Sequence, residues 1–501
     1  MDMLFSVFGE LLTPTTLVVI LIANMVGIVF GAIPGLSGGI GVALLLPMTF
    51  GLSPVLAFAM LISVWVGGQS GAMIGSILLG IPGSPSAVAT TFDGFPMTQR
   101  GEAVRALGAA ISASFIGTFF SILIAAVLSD WLADFAVQLG PWEYFALGMC
   151  AISLVSSLSS GGVLHGFAAA ALGLLASTVG FAPIDGSERF TFGSIYMGSG
   201  FDLIALMLGL FAIKQIVTEF ARGLPTFDQA KIGAIKGLGV SFAEYRANGV
   251  NILRSFMIGL WIGFLPGMGA ALSNLVAYAQ AKNSSKHPEK FGTGCIDGVF
   301  ASETANNASI GGSLIPMISL GIPGDGTTAL LLGGLMIHGL QPGPLLFSSN
   351  PEIVLTIFMT ALISAVLVLA LQFGGIRLFP YILRVPHRVM YPAIVVLCFT
   401  GTFVYAGTEF NFLFLVGFAL LGILMDWFRL PISPFPLAFI LGPMLELNLR
   451  NSLTYDENGL MMFVTRPVAA GLLLIALCSI LWPFFKPRRA GTAGVPARGA
   501  E

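Results

Sequence analysis

Apolar residues run in long blocks along the chain, and the blocks break at Pro-Gly pairs rather than at charges. The first covers about 16 to 33, stops at Pro34-Gly35 and resumes over 37 to 48. The next spans 54 to 66, passes through a Gly-rich stretch from Gly67 to Gly75, breaks over Ile77 to Gly83 and restarts at Ser84. Blocks near the roughly 20 residues that a bilayer-crossing helix needs follow at 104–128, 142–158, 162–181 and 200–217. The second half repeats the order, with 255–266 ending at Pro266-Gly267, 268–281, a second Gly-Ile-Pro-Gly break at Gly321 to Gly324, and blocks at 351–373, 389–406, 411–427, 434–446 and 467–485. A backbone broken inside lipid frees N–H and C=O groups that only protein, a cavity or a ligand can satisfy, so each break has a job.

The breaks come in pairs. Gly80-Ile81-Pro82-Gly83 and Gly321-Ile322-Pro323-Gly324 stand 241 residues apart, and each is followed by hydroxyl residues and alanine. Pro34-Gly35 and Pro266-Gly267 stand 232 apart. Two motifs in one order at nearly one spacing predict two related halves, and broken segments at matching places point to a secondary transporter's binding site. The predicted fold is an all-α polytopic integral membrane protein of about ten to twelve spans in two repeats, taken as inverted, with re-entrant or broken helices at the Pro-Gly motifs. Residues 1–213 form the first membrane repeat, 214–254 a basic cytoplasmic connecting region, 255–489 the second repeat and 490–501 a disordered tail.

Composition fixes the class. Apolar residues make up 56% and charged residues 9%, against roughly 25% charged in soluble domains. A net charge of −2 offers no basic surface for nucleic acid. Cys150, Cys295, Cys398 and Cys478 stand far apart in apolar surroundings and read as packing residues. No Lys or Arg precedes Arg100, and the first apolar run leads straight into a break, so the N-terminus reads as retained rather than as a signal peptide. Six of the 22 Lys and Arg residues lie between Lys214 and Arg254, which makes that region cytoplasmic. Lys282, Lys286 and Lys290 close the 268–281 arm, so both ends of this hairpin lie on the cytoplasmic side and the chain turns back at Pro266-Gly267. At about 1.5 Å per residue each arm reaches about halfway through a core of roughly 30 Å. The first-half hairpin has no flanking positive charge, which suits an opening to the opposite side; a single broken spanning helix is the alternative. Lys486, Arg488 and Arg489 place the C-terminus in the cytoplasm.

The candidate chemistry sits at the breaks. Gly35, Ser37, Gly83, Ser84 and Ser86 in the first half, and Gly324, Asp325, Thr327 and Thr328 in the second, are the candidate substrate residues. Free N–H groups and the positive dipole end of a helix starting in mid-membrane bind carboxylate oxygens without placing a full charge in lipid. Two facing starts suit a dianion or trianion, and a longer side chain at Gly83 or Gly324 would fill the anion's place. The competing role is a kink for close helix packing. Glu303, Asn306, Asn307 and Ser309 are candidates for coupling to sodium or a proton, through amide and hydroxyl oxygens with unwound carbonyls and a carboxyl group; capping and interhelical hydrogen bonding compete. His165 and His338 read as packing residues, and Asp130, Asp134 and Asp202 as interfacial. No ring of charges suggests an ion channel, and no His-Glu-x-x-His, nucleophile elbow or cofactor motif suggests an enzyme. A permease for another anion stays open.

Gly31-x-x-Pro34-Gly35, Leu-Gly-Ile-Pro-Gly at 79–83 and 320–324, Asp93-Gly94-Phe95-Pro96-Met97, Glu303-x-Ala305-Asn306-Asn307-Ala308, His338-Gly339-Leu340-Gln341-Pro342-Gly343-Pro344, and Leu449-Arg450-Asn451-Ser452-Leu453 ahead of Arg466-Pro467 together resemble the large membrane subunit, TctA type, of tripartite tricarboxylate transporters. The resemblance covers nearly the whole chain. It implies a bacterial inner-membrane symporter, a small four-span TctB-type partner subunit, a TctC-type periplasmic solute-binding protein, a small carboxylate substrate and an ion gradient as driving force. Many members have Tyr-Gly-Gly-Ser ahead of the first long break and Asn before Ile-Pro-Gly, where this chain has Ser70-Gly71-Ala72-Met73 and Gly80. The loss of polar groups there leaves the identity of the carboxylate open.

Overall fold

A computed structural model gives the fold and describes residues 2–158, 162–221, 239–383, 387–455 and 459–485. The first half contains α1 (Asp2–Leu11), α2 (Pro14–Ala32), α3 (Gly38–Leu45), α4 (Pro54–Leu79), α5 (Val88–Gln99), α6 (Ala103–Ala136), α7 (Pro141–Leu158), α8 (Val163–Ser177) and α9 (Leu203–Ala221), whose middle is a π-helix over Leu208–Ile213. The second half contains α10 (Phe242–Phe264), α11 (Gly269–Ser284), α12 (Ile296–Leu320), α13 (Gly326–Ile337), α14 (Pro351–Gly375), α15 (His387–Ala406), α16 (Asn411–Trp427), α17 (Pro434–Tyr455), α18 (Gly459–Thr465) and α19 (Pro467–Phe485). Strand is confined, among the described residues, to a ribbon pairing Gly180–Phe181 with Glu188–Arg189.

Six helices, α2, α4, α6, α9, α14 and α15, are long and apolar enough to cross a membrane, and α18 with α19 forms a seventh such segment bent by 80°. Helices α3, α8, α13 and α16 are apolar but shorter. The ten to twelve apolar blocks of the sequence thus divide into six clear spans and shorter helices.

Glycine governs how these helices meet. A Cβ added at Gly27, Gly31 or Gly71 would strike the carbonyl of Val64, Gly68 or Ile28, so α2 and α4 run side by side in one direction at backbone contact. Helix α3 comes back the other way, with Gly38 against Gly68 and Gly41 against Val64. The chain therefore reverses at Pro34-Gly35, where Gly35 takes φ +84, a left-handed conformation that side chains resist. The same contacts recur in the second half: Gly259 meets Ala305, Gly263 meets Ser309 and Gly312 meets Leu260, all on carbonyl oxygens. Each is the first-half contact moved by 232 positions on one helix and 241 on the other. Helix α11 runs back along α12, its Asn274 amide donating to the Ser302 carbonyl at 3.1 Å.

This explains one departure from the sequence pattern. The 54–66 block and the Gly67–Gly75 stretch, set apart in the sequence, form one continuous helix, α4, that runs on to Leu79. Glycine weakens a helix in isolation, but here it admits backbone-to-backbone packing.

The halves exchange helices. Helix α6 lies along α12 in the same direction, with Gly117 against Thr304, Gly311 against Ser121, and the Ser319 hydroxyl donating to the Ser129 carbonyl at 3.0 Å. Helix α14 lies along α4 in the same direction, through Ser63 and Ser364 at 2.9 Å and Ser70 and Gln372 at 3.0 Å. Because α5 ends beside the end of α4, where Thr98 donates to the Ile77 carbonyl at 2.7 Å, α6 sets out from there and runs back past Ser70, which its Ser114 meets at 2.6 Å. Helices α4 and α12 therefore run in opposite directions. Two further groups pack among themselves, α7, α8, α17 and α19 in one and α9, α15 and α16 in the other. At the start of α10, the Ser241 backbone N–H, and then Arg105, hold the Glu244 carboxyl below its usual range.

Candidate functional site

The breaks come together in the middle of the bundle. After α4 the chain turns through Gly80 at φ +69, and after α12 through Gly321 at φ +70. Both turns send it back alongside the helix it has just left, so that Gly75 faces Ile81 and Gly83. Helices α5 and α13 then begin beside the re-entrant tips. A Cβ at Gly39 would lie 2.9 Å from Thr327 Oγ1, and one at Gly269 would lie 2.6 Å from Asp325 Cβ. The Ala89 N–H donates to Asn274 Oδ1 at 2.7 Å. The start of α13 thus touches the hairpins of both halves, and the start of α5 is held by α11 of the other half.

The two starts are not equivalent. Pro85–Ala87 forms a 3-10 turn ahead of α5, and no side chain caps it; Ser84 and Ser86 instead bond each other at 2.5 Å. At α13 the Asp325 carboxylate accepts the Thr328 N–H at 2.8 Å and its hydroxyl at 2.9 Å, while the Thr328 hydroxyl accepts the Asp325 N–H at 2.8 Å. That reciprocal box satisfies the second start from within. Ser37 likewise caps α3, accepting the Ile40 N–H at 3.3 Å. Gly35 lies at the first tip, where a Cβ would come within 3.2 Å of the Tyr391 hydroxyl and Glu219 Cγ. Thr327 is half-buried beside Gly39.

Gly83 and Gly324 serve packing. A Cβ at Gly83 would strike the Gly31 carbonyl, and one at Gly324 would lie 2.5 Å from Ser313 Cβ and 2.9 Å from the Gly263 carbonyl. A longer side chain at either position meets backbone or a neighbouring helix before it reaches open space. The groups at the breaks able to meet an anion are therefore hydroxyls and backbone N–H groups.

Glu303 is the centre of a second cluster, on α12. It is fully buried, as are Thr90, Asn274, Ser302, Asn306 and Asn307. Its Oε1 accepts the Thr90 hydroxyl, and its Oε2 accepts the Asn306 and Asn307 amides at 3.3 Å each. Gln69 reaches across from α4 to donate to Asn306 Oδ1 at 2.6 Å. Every one of these partners is neutral. A buried carboxylate without a cationic partner is costly, so the site calls for a proton or a bound cation. Asn306, Asn307 and Ser309 sit in unbroken helix, which removes the unwound carbonyls the sequence suggested. The Ser309 hydroxyl is committed to the Asn306 carbonyl at 2.7 Å.

The polar network continues past Asn307. Thr118 donates to its Oδ1 at 3.4 Å, and Ser70, Ser114, Thr118 and Gln372 line a cavity of about 10 Å³, room for one water molecule.

Asp93 ties α5 to the start of α12. Its Oδ1 accepts the N–H groups of Gly292, Gly294 and Cys295 at 2.9, 2.8 and 2.7 Å, and its Oδ2 accepts the Tyr278 hydroxyl at 2.8 Å. A carboxylate from one half thereby holds the loop that leads into a helix of the other. His338 bonds Thr49 at 3.1 Å and packs edge-on against Phe58, and Asp202 caps α9 through the Ala205 N–H at 2.7 Å.

Sequence reasoning singled out Glu303, Asn306 and Asn307 but missed Gln69, Thr90 and Asn274. The one available signal was that Gln69 is the single amide side chain in the Gly-rich stretch.

The sequence pattern of the tripartite tricarboxylate transporter TctA family matches residues 17–437. The chain belongs to that family. As a TctA-family member it is a transporter component with multiple membrane helices, and both pairs of breaks fall inside the matched region. An uncharacterized 52.8 kDa protein in the TAR-I ttuC' 3' region of Agrobacterium vitis is 34% identical over 476 residues, covering 95% of this chain and 94% of the relative. An uncharacterized protein in the TAR-II ttuC' 3' region of the same organism is 34% identical over 223 residues, 44% of this chain and 92% of the relative. No solved structure matches the chain.

Proposed function

We propose that this TctA-family chain is the large subunit of a secondary transporter that moves a small di- or tricarboxylate across the bacterial inner membrane. A sodium or proton gradient drives it, a TctC-type periplasmic solute-binding protein feeds it, and a small four-span TctB-type subunit completes it. The observation that carries this reading is the meeting of the α5 start, which no side chain of its own caps, with Asn274 on the returning arm of the other half's hairpin, beside a buried carboxylate whose partners are all neutral. An anion site and a cation site then share one helix turn. The substrate's carboxylate binds at Ser84 and Ser86, and its far end points toward Thr327. Asp325 fills its own helix start and repels a second carboxylate placed directly on it.

Uptake by proteoliposomes holding both membrane subunits, with the binding protein added and sodium and pH gradients imposed separately, tests the reading. Gradient-dependent accumulation of a carboxylate is expected. Flux that equilibrates without a gradient or a binding protein contradicts it.

The anion site makes its own prediction. A hydrogen bond to a charged group contributes about 1.5–3 kcal/mol, so Ser84→Ala or Ser86→Ala weakens apparent substrate affinity about tenfold with little change in maximal rate. Unchanged affinity in both variants places the carboxylate elsewhere.

The halves are, on this reading, an inverted repeat, which the opposite run of α4 and α12 supports. Arg100, Arg105, Arg246, Lys282, Lys286 and Lys290 cluster at the end where α6, α10 and α12 begin, which supports a cytoplasmic position for that end. Single cysteines at Thr13 and Asn283 are expected to react with an impermeant reagent from opposite sides of the membrane. Reaction from one side alone ends the inverted-repeat reading.

A further inference from the structure

We propose that Thr90 is a positioning residue that transmits the charge of Glu303 to the helix start at Ser84–Ser86. The proposal rests on the anion and cation sites assigned above and names the contact between them. Thr90 is fully buried and follows Ser86 by four residues, about one helical turn. Its hydroxyl donates to Glu303 Oε1, lies 3.0 Å from Ser302 Oγ and accepts the Asn274 amide at 3.4 Å. The same Asn274 holds the Ala89 N–H through its Oδ1 at 2.7 Å. Two adjacent residues of α5 are thus fixed by side chains of α11 and α12, from the other half of the chain.

A threonine hydroxyl has one proton to give. While Glu303 is ionised that proton goes to the carboxylate, by a charge-assisted bond stronger than one to a neutral acceptor. When a proton or cation neutralises Glu303, the carboxylate loses that pull. Ser302 Oγ, already within reach, becomes the competing acceptor, and a protonated Glu303 itself donates to Thr90. The direction of hydrogen bonding at Thr90 reverses. Asn274 shares in both arrangements, because one end of its amide meets Thr90 and the other the Ala89 N–H. The turn carrying Ser84 and Ser86 therefore takes up a different position in each charge state.

The test reads the helix start directly and uses no substrate. In a full-length chain carrying Ser84→Cys and Cys478→Ser, reconstituted in liposomes, the alkylation rate at position 84 by a small maleimide is compared with and without Glu303→Gln, which mimics the neutral carboxyl. The Gln substitution is expected to change the rate threefold or more. Thr90→Val keeps the side-chain volume and removes the hydroxyl, and it abolishes that response; Thr90→Ser keeps the hydroxyl, and the response persists. A Thr90→Val chain that still responds to Glu303→Gln overturns the proposal, as does a parent chain with no response. If the Gln protein is not monodisperse, Glu303→Met supplies the neutral state with the same expected order. Failure of carboxylate uptake alongside an intact alkylation response refutes the transport reading and leaves the Thr90 contact standing.

Discussion

Glu303→Ala gives a chain that inserts in the membrane and assembles but transports at about a hundredth of the normal rate or less, a rise of about 2.7 kcal/mol in the effective barrier. The substitution removes the carboxylate at the centre of the α12 cluster, and with it the charged acceptor shared by the Thr90 hydroxyl and the Asn306 and Asn307 amides, which keep only Ser302 and backbone carbonyls within reach. Each buried donor left unpaired costs about 1–3 kcal/mol, so part of the damage is structural. Glu303→Gln separates the two effects. It keeps the packing and one carbonyl oxygen in the cluster, so the protein recovers part of its stability, but it cannot ionise and remains unable to couple uptake to a gradient. Uptake per inserted molecule and the thermal unfolding midpoint, measured together, check this. Gradient-driven uptake at the normal rate in Glu303→Gln removes Glu303 from the coupling site.

Asp93→Ala has the largest expected effect on folding. Three backbone N–H groups at the head of α12 and the Tyr278 hydroxyl lose one shared, fully buried acceptor. With about 1–3 kcal/mol for each buried donor left unpaired, and the Tyr278 hydroxyl among them in a buried contact, the loss is about 3 kcal/mol. The expected result is little monodisperse protein. Asp93→Asn keeps Oδ1 for the three N–H groups and is much milder. A stable, active Asp93→Ala protein shows that the α5–α12 contact is dispensable.

The architecture was legible wherever it rests on local pattern. Paired breaks 241 and 232 residues apart mark the places where the chain turns, and they turn there because Pro removes a donor and Gly permits the left-handed residues at 35, 80, 267 and 321. The run from Ser302 to Ser309 stood out as the most polar stretch near a predicted hairpin. Contacts between distant residues left no trace. Thr90 and Glu303 are 213 residues apart, Gln69 and Asn306 237, and a lone threonine or glutamine in an apolar stretch carries no signal of its partner. The Gly-rich stretch was misleading for a related reason. Glycine reads locally as a breaker, yet at positions 67, 68 and 71 it is the surface on which α2 and α3 rest, and only the neighbouring helices reveal that. Gly83 and Gly324 likewise stand where an anion was expected but touch backbone instead. Beside them, the Ser84 and Ser86 hydroxyls bond each other and serve no helix cap.

The claim that the start of α5 holds the substrate's carboxylate is tested most directly by protection. In the reconstituted complex carrying Ser84→Cys, the alkylation rate at position 84 is measured against rising concentrations of a carboxylate that the complex transports, with a cysteine at Thr13 as control. The account predicts saturable protection at position 84, half-complete near the concentration that half-saturates uptake, and none at position 13. A rate at position 84 that ignores every transported carboxylate contradicts it.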